Sequence, residues 1–415
     1  MDVKIVLNRV EKHKGFVYGK AVWGEAGGEM VVPVEPRKGS RPVCSGCGRP
    51  GAAYDKLPGR RFQYVPFWGI TVFLLYAMRR VDCPDCGVKV ETVPWAVGKK
   101  RLTRSFCLFL AHWARRLSWK ETAEVFGTSW NRVYEAVRWV VEFGLAHRDL
   151  TGVEAIGVDE IHCGKGQQYL TLVYQIDAGC RRLLYAGRDR TAKTLLRFFH
   201  DMGRPWCSGV KFVCSDMWKP YLKVIAKKLG GAVHVLDRFH IVAKLNEAID
   251  QVRRGEVRRM KAQGYRNTLV DTKYCFLKNP KNLTPKQKTR LADVLQYDFK
   301  SVRAYLLKES FQLFWSYASP HWAEWYLRKW CARAMRSKLD PVKKFVGTIR
   351  RHQSLILNWF KARKAYSSGV VEGLNRKVNL ITRKAFGFRS FQVLQVALYH
   401  TLGNLPEPAT THKFW

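Results

Sequence analysis

Apolar positions change their spacing several times along the 415-residue chain, and each change marks a module. Between Phe62 and Tyr76 two short runs, Phe62-Gln-Tyr-Val-Pro-Phe-Trp68 and Ile70-Thr-Val-Phe-Leu-Leu-Tyr76, are crowded with aromatic and β-branched residues, which predicts strands. From about 103 to 145 the period becomes helical. Phe106, Phe109, Leu110, Trp113 and Leu117 share one side of a first helix, and Ser118-Trp-Lys-Glu121 predicts a capping box that opens a short second helix ending at Phe126. Gly127-Thr-Ser129 supplies a turn and the next N-cap, and Val133, Val137, Val140 and Val141 stripe a third helix.

After Gly152 the pattern shortens to apolar runs at 155–159, 169–176, 182–186, 210–216 and 232–236, with helical stretches at 191–202 and 220–229. Three strands able to form a meander, followed by alternating helix and strand, describe a mixed α/β sheet. Helical periodicity then runs almost unbroken from 241 to about 365, rich in Trp and Tyr and interrupted by the Pro-punctuated loop 278–285. A helix from near Val370 carries Leu374, Val378 and Ile381 on its buried face, and another follows from about Ser390. The chain thus divides into a lead-in segment (1–43), a strand-rich module (44–98), a three-helix module (99–150), the first part of an α/β core (151–240), a helical insertion (241–365), the final core helices (366–405) and a tail (406–415).

Charge narrows the partners. Lys and Arg number 73 against 33 Asp and Glu, a net charge of +40 and a pI near 10.1, so a polyanion is the expected partner. Residues 241–370 hold 28 basic and 9 acidic residues, a net of +19. No membrane partner is expected: residues 1–14 lack an apolar signal core, and the most apolar stretch, 65–78, is too short to span a bilayer. The expected location is cytoplasmic, with the nucleoid.

Of the 11 cysteines, four form two CxxC knuckles, Cys44-Ser-Gly-Cys47 and Cys83-Pro-Asp-Cys86-Gly87. A CxxC turn lets two sulfurs converge from one tight loop, and four thiolates satisfy one tetrahedral structural Zn²⁺, so 44–98 is expected to be a zinc ribbon. Cys107, Cys163, Cys180, Cys207, Cys214, Cys275 and Cys331 are scattered among apolar neighbours, as buried reduced residues are. The three helices of 99–150 have the spacing of a helix-turn-helix, with Asn131, Arg132, Tyr134, Glu135 and Arg138 facing outward, types that meet base edges and phosphates. Plain three-helix bundles share that spacing; the neighbouring knuckles and the charge favour DNA.

Two acids follow strand-like apolar runs, Asp159 and Asp216. In a common sheet both would project into one crevice, where like charges repel unless a cation bridges them, and Mg²⁺ suits carboxylate, water and phosphate oxygens. Glu372 is the candidate third carboxylate, on a helix face with Arg376, Asn379 and Arg383. Spacing alone is equally compatible with strand-end turn residues and a solvated helix.

Taken in order, Cys44-Ser-Gly-Cys47 with Cys83-Pro-Asp-Cys86-Gly87, Ile156-Gly-Val-Asp159-Glu160, Ser215-Asp216-Met-Trp218, Leu236-Asp-Arg-Phe-His240 and Val371-Glu372-Gly-Leu-Asn-Arg-Lys377 resemble the ISL-three family of DDE transposases of bacterial insertion sequences, over nearly the whole chain. The resemblance implies an RNase H-like catalytic core with a large α-helical insertion, a triad of Asp159, Asp216 and Glu372, and two Mg²⁺ (or Mn²⁺) ions held there. Asp237 and His240 match an element that supports the active site or positions DNA; a helix N-cap and a structural His read equally well. Where many such enzymes place Lys or Arg seven residues after the Glu, this chain has Asn379, which leaves the DNA contact to Arg376 or Arg383. The implied partners are double-stranded DNA, as terminal inverted repeats and target, and a second copy of the chain when two ends are joined. A catalytically inactive descendant acting as a DNA-binding repressor or architectural protein is the alternative.

Overall fold

A computed structural model describes residues 3–24, 28–163, 168–362 and 369–409; residues 366–368 of the final core segment and 410–415 of the tail lie outside this set. The chain forms two compact units, Met1–Asp149 with Val378–Trp415, and Leu150–Lys377.

The first unit opens with helix α1 (Val3–Val10) and strands β1 (Phe16–Tyr18), β2 (Val22–Trp23) and β3 (Glu29–Pro36). These are not a lead-in to a separate ribbon: β3 runs parallel to β5 (Ile70–Cys83), which forms a long antiparallel hairpin with β4 (Ala52–Phe67), and β6 (Gly87–Val90) extends the sheet beyond β5. The hairpin is longer than the two apolar runs: β5 alternates burial through Val72, Leu74, Tyr76 and Met78, changes phase at the adjacent buried Arg79, and alternates again through Val81 and Cys83. Trp95 is fully buried, with Phe16, Phe62 and Tyr76 edge-on at 4.8, 6.0 and 5.3 Å. A buried ion pair, Arg79 Nη2 to Glu91 Oε2 at 2.8 Å, is completed by Tyr76 donating to Glu91 Oε1 at 2.6 Å. Removing one member of such a pair costs about 3–5 kcal/mol, so it locks β5 to the strand-end segment that follows β6.

Helices α2 (Arg104–Ala114), α3 (Trp119–Val125) and α4 (Trp130–His147) follow, with Thr103, Ser118 and Ser129 as N-caps. Ser118 and Glu121 exchange the two hydrogen bonds of a capping box. Gly127, at φ +59°, makes the turn into α4, whose buried stripe is Val133, Val137, Val140 and Val141.

The second unit is built on a five-stranded sheet. Strands β7 (Ala155–His162), β8 (Tyr169–Asp177) and β9 (Cys180–Arg188) form an antiparallel meander. Helix α5 (Ala192–Gly209), interrupted at Gly203 with φ +80°, leads to β10 (Phe212–Ser215), and α6 (Lys219–Lys228) leads to β11 (Val233–Leu236). β10 runs parallel to both β7 and β11, so the order is β11-β10-β7-β8-β9.

The helices α7 (Arg238–Ala262), α8 (Lys273–Leu277), α9 (Pro285–Leu295), α10 (Lys300–Gln312), α11 (Pro320–Met335), α12 (Asp340–Arg351) and α13 (Gln353–Lys361) share one apolar core with Val235 and Leu236 of β11. Phe299 offers α10 no side-chain cap. Glu256 of α7 supplies it from a buried position, accepting from Lys300 N at 2.9 Å and Ser301 N at 2.8 Å. Buried Lys308 donates to the carbonyls of Phe276 and Lys278 and so anchors the interrupted stretch.

Helix α14 (Gly369–Lys384) buries Leu374 and Val378, with Ile381 half-buried. The last helix, α15 (Phe391–Leu402), was expected within a core segment spanning 366–405 but groups with the first unit. It packs on α4, with Leu394, Ala397 and Leu398 buried, and a Cβ at Gly144 of α4 would overlap Leu405. All 11 cysteines are free thiols; of the scattered seven, Cys163 and Cys180 are half-buried and the rest buried.

Candidate functional site

The register of the second sheet lines up three aspartates. Val158 of β7 pairs with Ser215 of β10, and Ser215 pairs with Leu236 of β11. The next residue on each strand line is Asp159, Asp216 and Asp237, and all three are buried, at 9%, 8% and 7% exposure. A row of carboxylates across adjacent strand lines, so little hydrated, requires compensation from donors or cations.

Asp159 Oδ1 accepts from the Glu160 backbone at 2.8 Å and lies 3.8 Å from His240 Nε2; Oδ2 accepts from Asn375 Nδ2 at 2.6 Å. Burial raises its pKa, against the pull of these donors. Asp237 caps α7 by accepting from Phe239 N at 2.6 Å, and its Oδ2 is 3.6 Å from His240 Nε2. Asp216 Oδ1 accepts from Trp218 N at 2.9 Å, and its Oδ2 meets Arg190 Nη2 at 3.0 Å. The same guanidinium nitrogen is 2.6 Å from Glu160 Oε1 and the group lies 4.6 Å from the Trp218 ring centroid. Burial, then the Asp216 charge, pushes Glu160 up to about 7, with Arg190 opposing. Glu160 Oε2 is buried without a hydrogen-bond partner.

Glu372 sits in the first turn of α14 and pairs with Arg376 at 2.6 Å. Two neighbours on its helix dock onto the sheet: Val371 packs where a Cβ at Gly157 of β7 would overlap it, and Asn375 bridges Asp159 to the Tyr174 hydroxyl, which donates to Asn375 Oδ1 at 2.8 Å. Glycine at 157 therefore permits the helix to approach the strand that carries Asp159. Asn375→Ala leaves a buried tyrosine hydroxyl and a carboxylate oxygen each short of a partner. It is expected to destabilise the second unit by about 1–3 kcal/mol, read from its urea transition.

The four knuckle cysteines are the only group of three or more His, Cys, Asp or Glu among the described residues whose ligand atoms all lie within 4.8 Å of one another. Asp159, Asp216 and Glu372 do not converge that closely. Cys47 Sγ and Cys83 Sγ are 3.6 Å apart, and backbone N–H groups of Cys47 and Gly46 hold the Cys44 thiol down at about 7. A side chain at Gly46 would press on Cys86 Sγ, so the knuckle needs glycine there. Four convergent sulfurs, one already biased toward thiolate, suit tetrahedral zinc.

On the first unit's α4, Asn131 and Arg132 are exposed, whereas Tyr134 and Arg138 are half-buried. Tyr134 packs 5.5 Å from Trp119, and Arg138 lies over the Tyr134 ring and beside Glu142. Arg376 and Arg383 are exposed on α14. Sequence reasoning missed Glu160, Arg190, Tyr174 and Asn375. Only Glu160 and Asn375 carried a signal, the first as the second acid of Asp159-Glu160 and the second by lying one helical turn beyond Glu372.

No helix among the described residues is long and apolar enough to cross a membrane. A protein-family model described as "Transposase", of the ISL3 group of DDE transposases, matches residues 156–398. Over 412 residues the chain is 30% identical to the transposase for insertion sequence element IS1557 of Mycobacterium tuberculosis, covering 93% of this chain and 92% of that protein. Over 379 residues it is 25% identical to the transposase for insertion sequence element IS1001 of Bordetella parapertussis, covering 91% of this chain and 92% of that protein.

Proposed function

The chain belongs to the ISL3 family of insertion-sequence transposases, and on that premise we propose that it cuts and joins DNA at the ends of its element through Asp159, Asp216 and Glu372. The observation that carries this reading is the row of buried aspartates across β7, β10 and β11, in a sheet whose order supports an RNase H-like core. The acids fit a hard divalent cation in that every donor is a carboxylate oxygen and Glu160 Oε2 has no hydrogen-bond partner; Arg190, which now pairs with Glu160 and Asp216, would give up Asp216 Oδ2 to the ion. Asp159, Asp216 and Glu372 would hold two Mg²⁺ or Mn²⁺ ions, which when bound lower the pKa of a nucleophilic hydroxyl and offset charge on the phosphoryl oxygens.

The chain's own residues do the positioning. Asn375 fixes the Asp159 carboxylate and ties it to the helix of Glu372, while Asp237 and His240 set the other side of Asp159. Asn375→Ala should therefore also slow cleavage about 10- to 100-fold, as loss of a ligand-orienting partner does. Water attacks the phosphorus at the element's end and the P–O3′ bond breaks, leaving a 5′-phosphate on the flank and a 3′-OH on the element; that 3′-OH attacks a target phosphodiester and expels the target's own 3′-OH, without a covalent enzyme intermediate. The zinc ribbon and helix-turn-helix recognise the terminal repeats, with Asn131 and Arg132 the exposed contacts on α4 and Tyr134 and Arg138 shaping its surface. Arg376 and Arg383 meet phosphates along α14, and two copies hold two ends.

The net +19 of 241–370 makes the helical insertion a clamp on the DNA backbone. The test is to incubate the protein with DNA from the borders of its element, in Mg²⁺ or in EDTA, across a salt series. Strand cleavage in Mg²⁺ alone, with affinity falling steeply as salt rises, is expected. Metal-independent binding with no cleavage would assign the chain to DNA-binding factors instead, and a flat salt dependence would remove the clamp.

A further inference from the structure

Two aromatic rings stand apart from every other large apolar side chain among the described residues: Trp68 is 97% exposed and Phe386 is 99% exposed, against 68% for Tyr265, the next. Both belong to the first unit, and both occupy left-handed turns. Trp68 (φ +48°) and Gly69 (φ +82°) are the two turn residues between the paired Phe67 and Ile70, a two-residue hairpin turn that favours Asn-Gly. Phe386 (φ +52°) and Gly387 (φ +101°) close the end of α14. A tryptophan and a phenylalanine in this conformation lose stability both in the backbone and in the unburied ring.

Each turn is anchored to the helix-turn-helix. Buried Gln63 of β4 donates from Nε2 to the carbonyl of Gly127, the glycine of the α3–α4 turn, at 3.2 Å. Its Oε1 accepts from Arg132 of α4 at 3.4 Å, and Thr71 of β5 lies against Gly127. The hairpin is therefore fixed to the turn and to the first residues of α4. On the other element, Phe388 packs on Trp119 of α3 at 6.3 Å, and the Arg389 guanidinium lies 5.3 Å from the Trp130 centroid at the start of α4. The second turn is flanked by basic residues, Arg383, Lys384 and Arg389, all exposed, while Arg60 and the exposed Lys99 and Arg101 lie further back along the hairpin that carries Trp68.

We propose that Trp68 and Phe386 are stacking tips that insert against base steps of the duplex bound by the helix-turn-helix, the β4–β5 hairpin serving as its wing. The occupant is DNA because Phe386 sits between exposed Arg383, Lys384 and Arg389, Trp68 tips a hairpin fixed to the same helix-turn-helix, and an aromatic face stacks on any base while cations take the phosphates. The inference rests on the DNA-binding reading of this unit but not on catalysis.

The experiment uses the full chain in EDTA with duplexes from the element's borders carrying 2-aminopurine at successive positions. Wild type should change the 2-aminopurine emission at a small number of base steps. Trp68→Ala and Phe386→Ala should each abolish one such signal and weaken binding roughly tenfold, the size of one base–aromatic stack, without altering the salt slope. Arg132→Ala, removing a phosphate or base-edge contact, should lower affinity and, if to phosphate, reduce that slope by about one. Trp68→Phe should retain the signal. Trp68→Asn suits the turn better, so it should raise thermal stability while still losing DNA affinity, which separates stacking from folding. Wild-type affinity and emission in both alanine variants would overturn the proposal, and a change in oligomeric mass with DNA binding intact would assign the rings to contacts between copies. Because cleavage is not read, its absence elsewhere would leave this outcome unaffected.

Discussion

Asp159→Asn and Asp216→Asn are expected to lower strand cleavage by roughly a thousandfold or more, a barrier increase of about 4 kcal/mol, while leaving binding of element ends in EDTA close to wild type. Asparagine keeps the shape of each carboxylate and one of its two accepted hydrogen bonds, turns the other oxygen into a donor, and removes the charge that a divalent ion requires. The fold should tolerate the change at Asp159, since burial already disfavours its ionised form and neutralising it removes that penalty. Denaturant midpoints equal to or above wild type, alongside lost cleavage, would place the defect in chemistry. Glu372→Gln should match the two aspartate variants. If it cleaves normally while Glu160→Gln does not, the third carboxylate is Glu160, the acid already linked to Asp216 through Arg190.

The second large effect is predicted at the cysteine knuckles. Wild type should carry one zinc per chain, and Cys83→Ser or a strong chelator should remove it. The core around these residues is small, with Cys44, Val81 and Cys83 buried and Cys86 beside them, so little apolar packing remains to hold the knuckles once the metal is gone. Structural zinc contributes about 10–16 kcal/mol in zinc-finger peptides at neutral pH. Part of that is recovered here by the neighbouring sheet and the Trp95 cluster, so the expected outcome is loss of order at the knuckles and the end of β5. Loss of end binding should accompany it, with the second unit's unfolding transition unchanged. Full zinc content in Cys83→Ser would refute the assignment.

Local signals were the readable ones. The Ser118–Glu121 capping box, the Gly127 turn and the acids that end apolar runs are encoded within a few residues, and the helices and strands begin close to where they were expected. What stayed hidden depends on partners far along the chain. β3 pairs with β5 in parallel, which no hairpin signal announces, and α15 finds α4 more than two hundred residues away. Trp68 reads as strand by composition, yet it sits in the turn, because the two-residue loop takes its register from Phe67 and Ile70. Arg190 follows a strand as any loop arginine does; its partners Glu160 and Asp216 come from β7 and from the end of β10.

The contact from Asn375 to Asp159 spans 216 residues of chain. During synthesis the sheet residues and the helical insertion leave the ribosome well before α14, so the strand carrying Asp159 must wait for its last neighbour. The nascent protein therefore passes through a stage that holds the cysteine knuckles and the three helices α2 to α4 but lacks the Asn375 contact to Asp159. If Glu372 supplies the third carboxylate as proposed, translation order keeps cutting silent until α14 has emerged, and a message that ends before residue 369 would encode a competitor for the longer chain if its knuckles and helices still bind the element's ends.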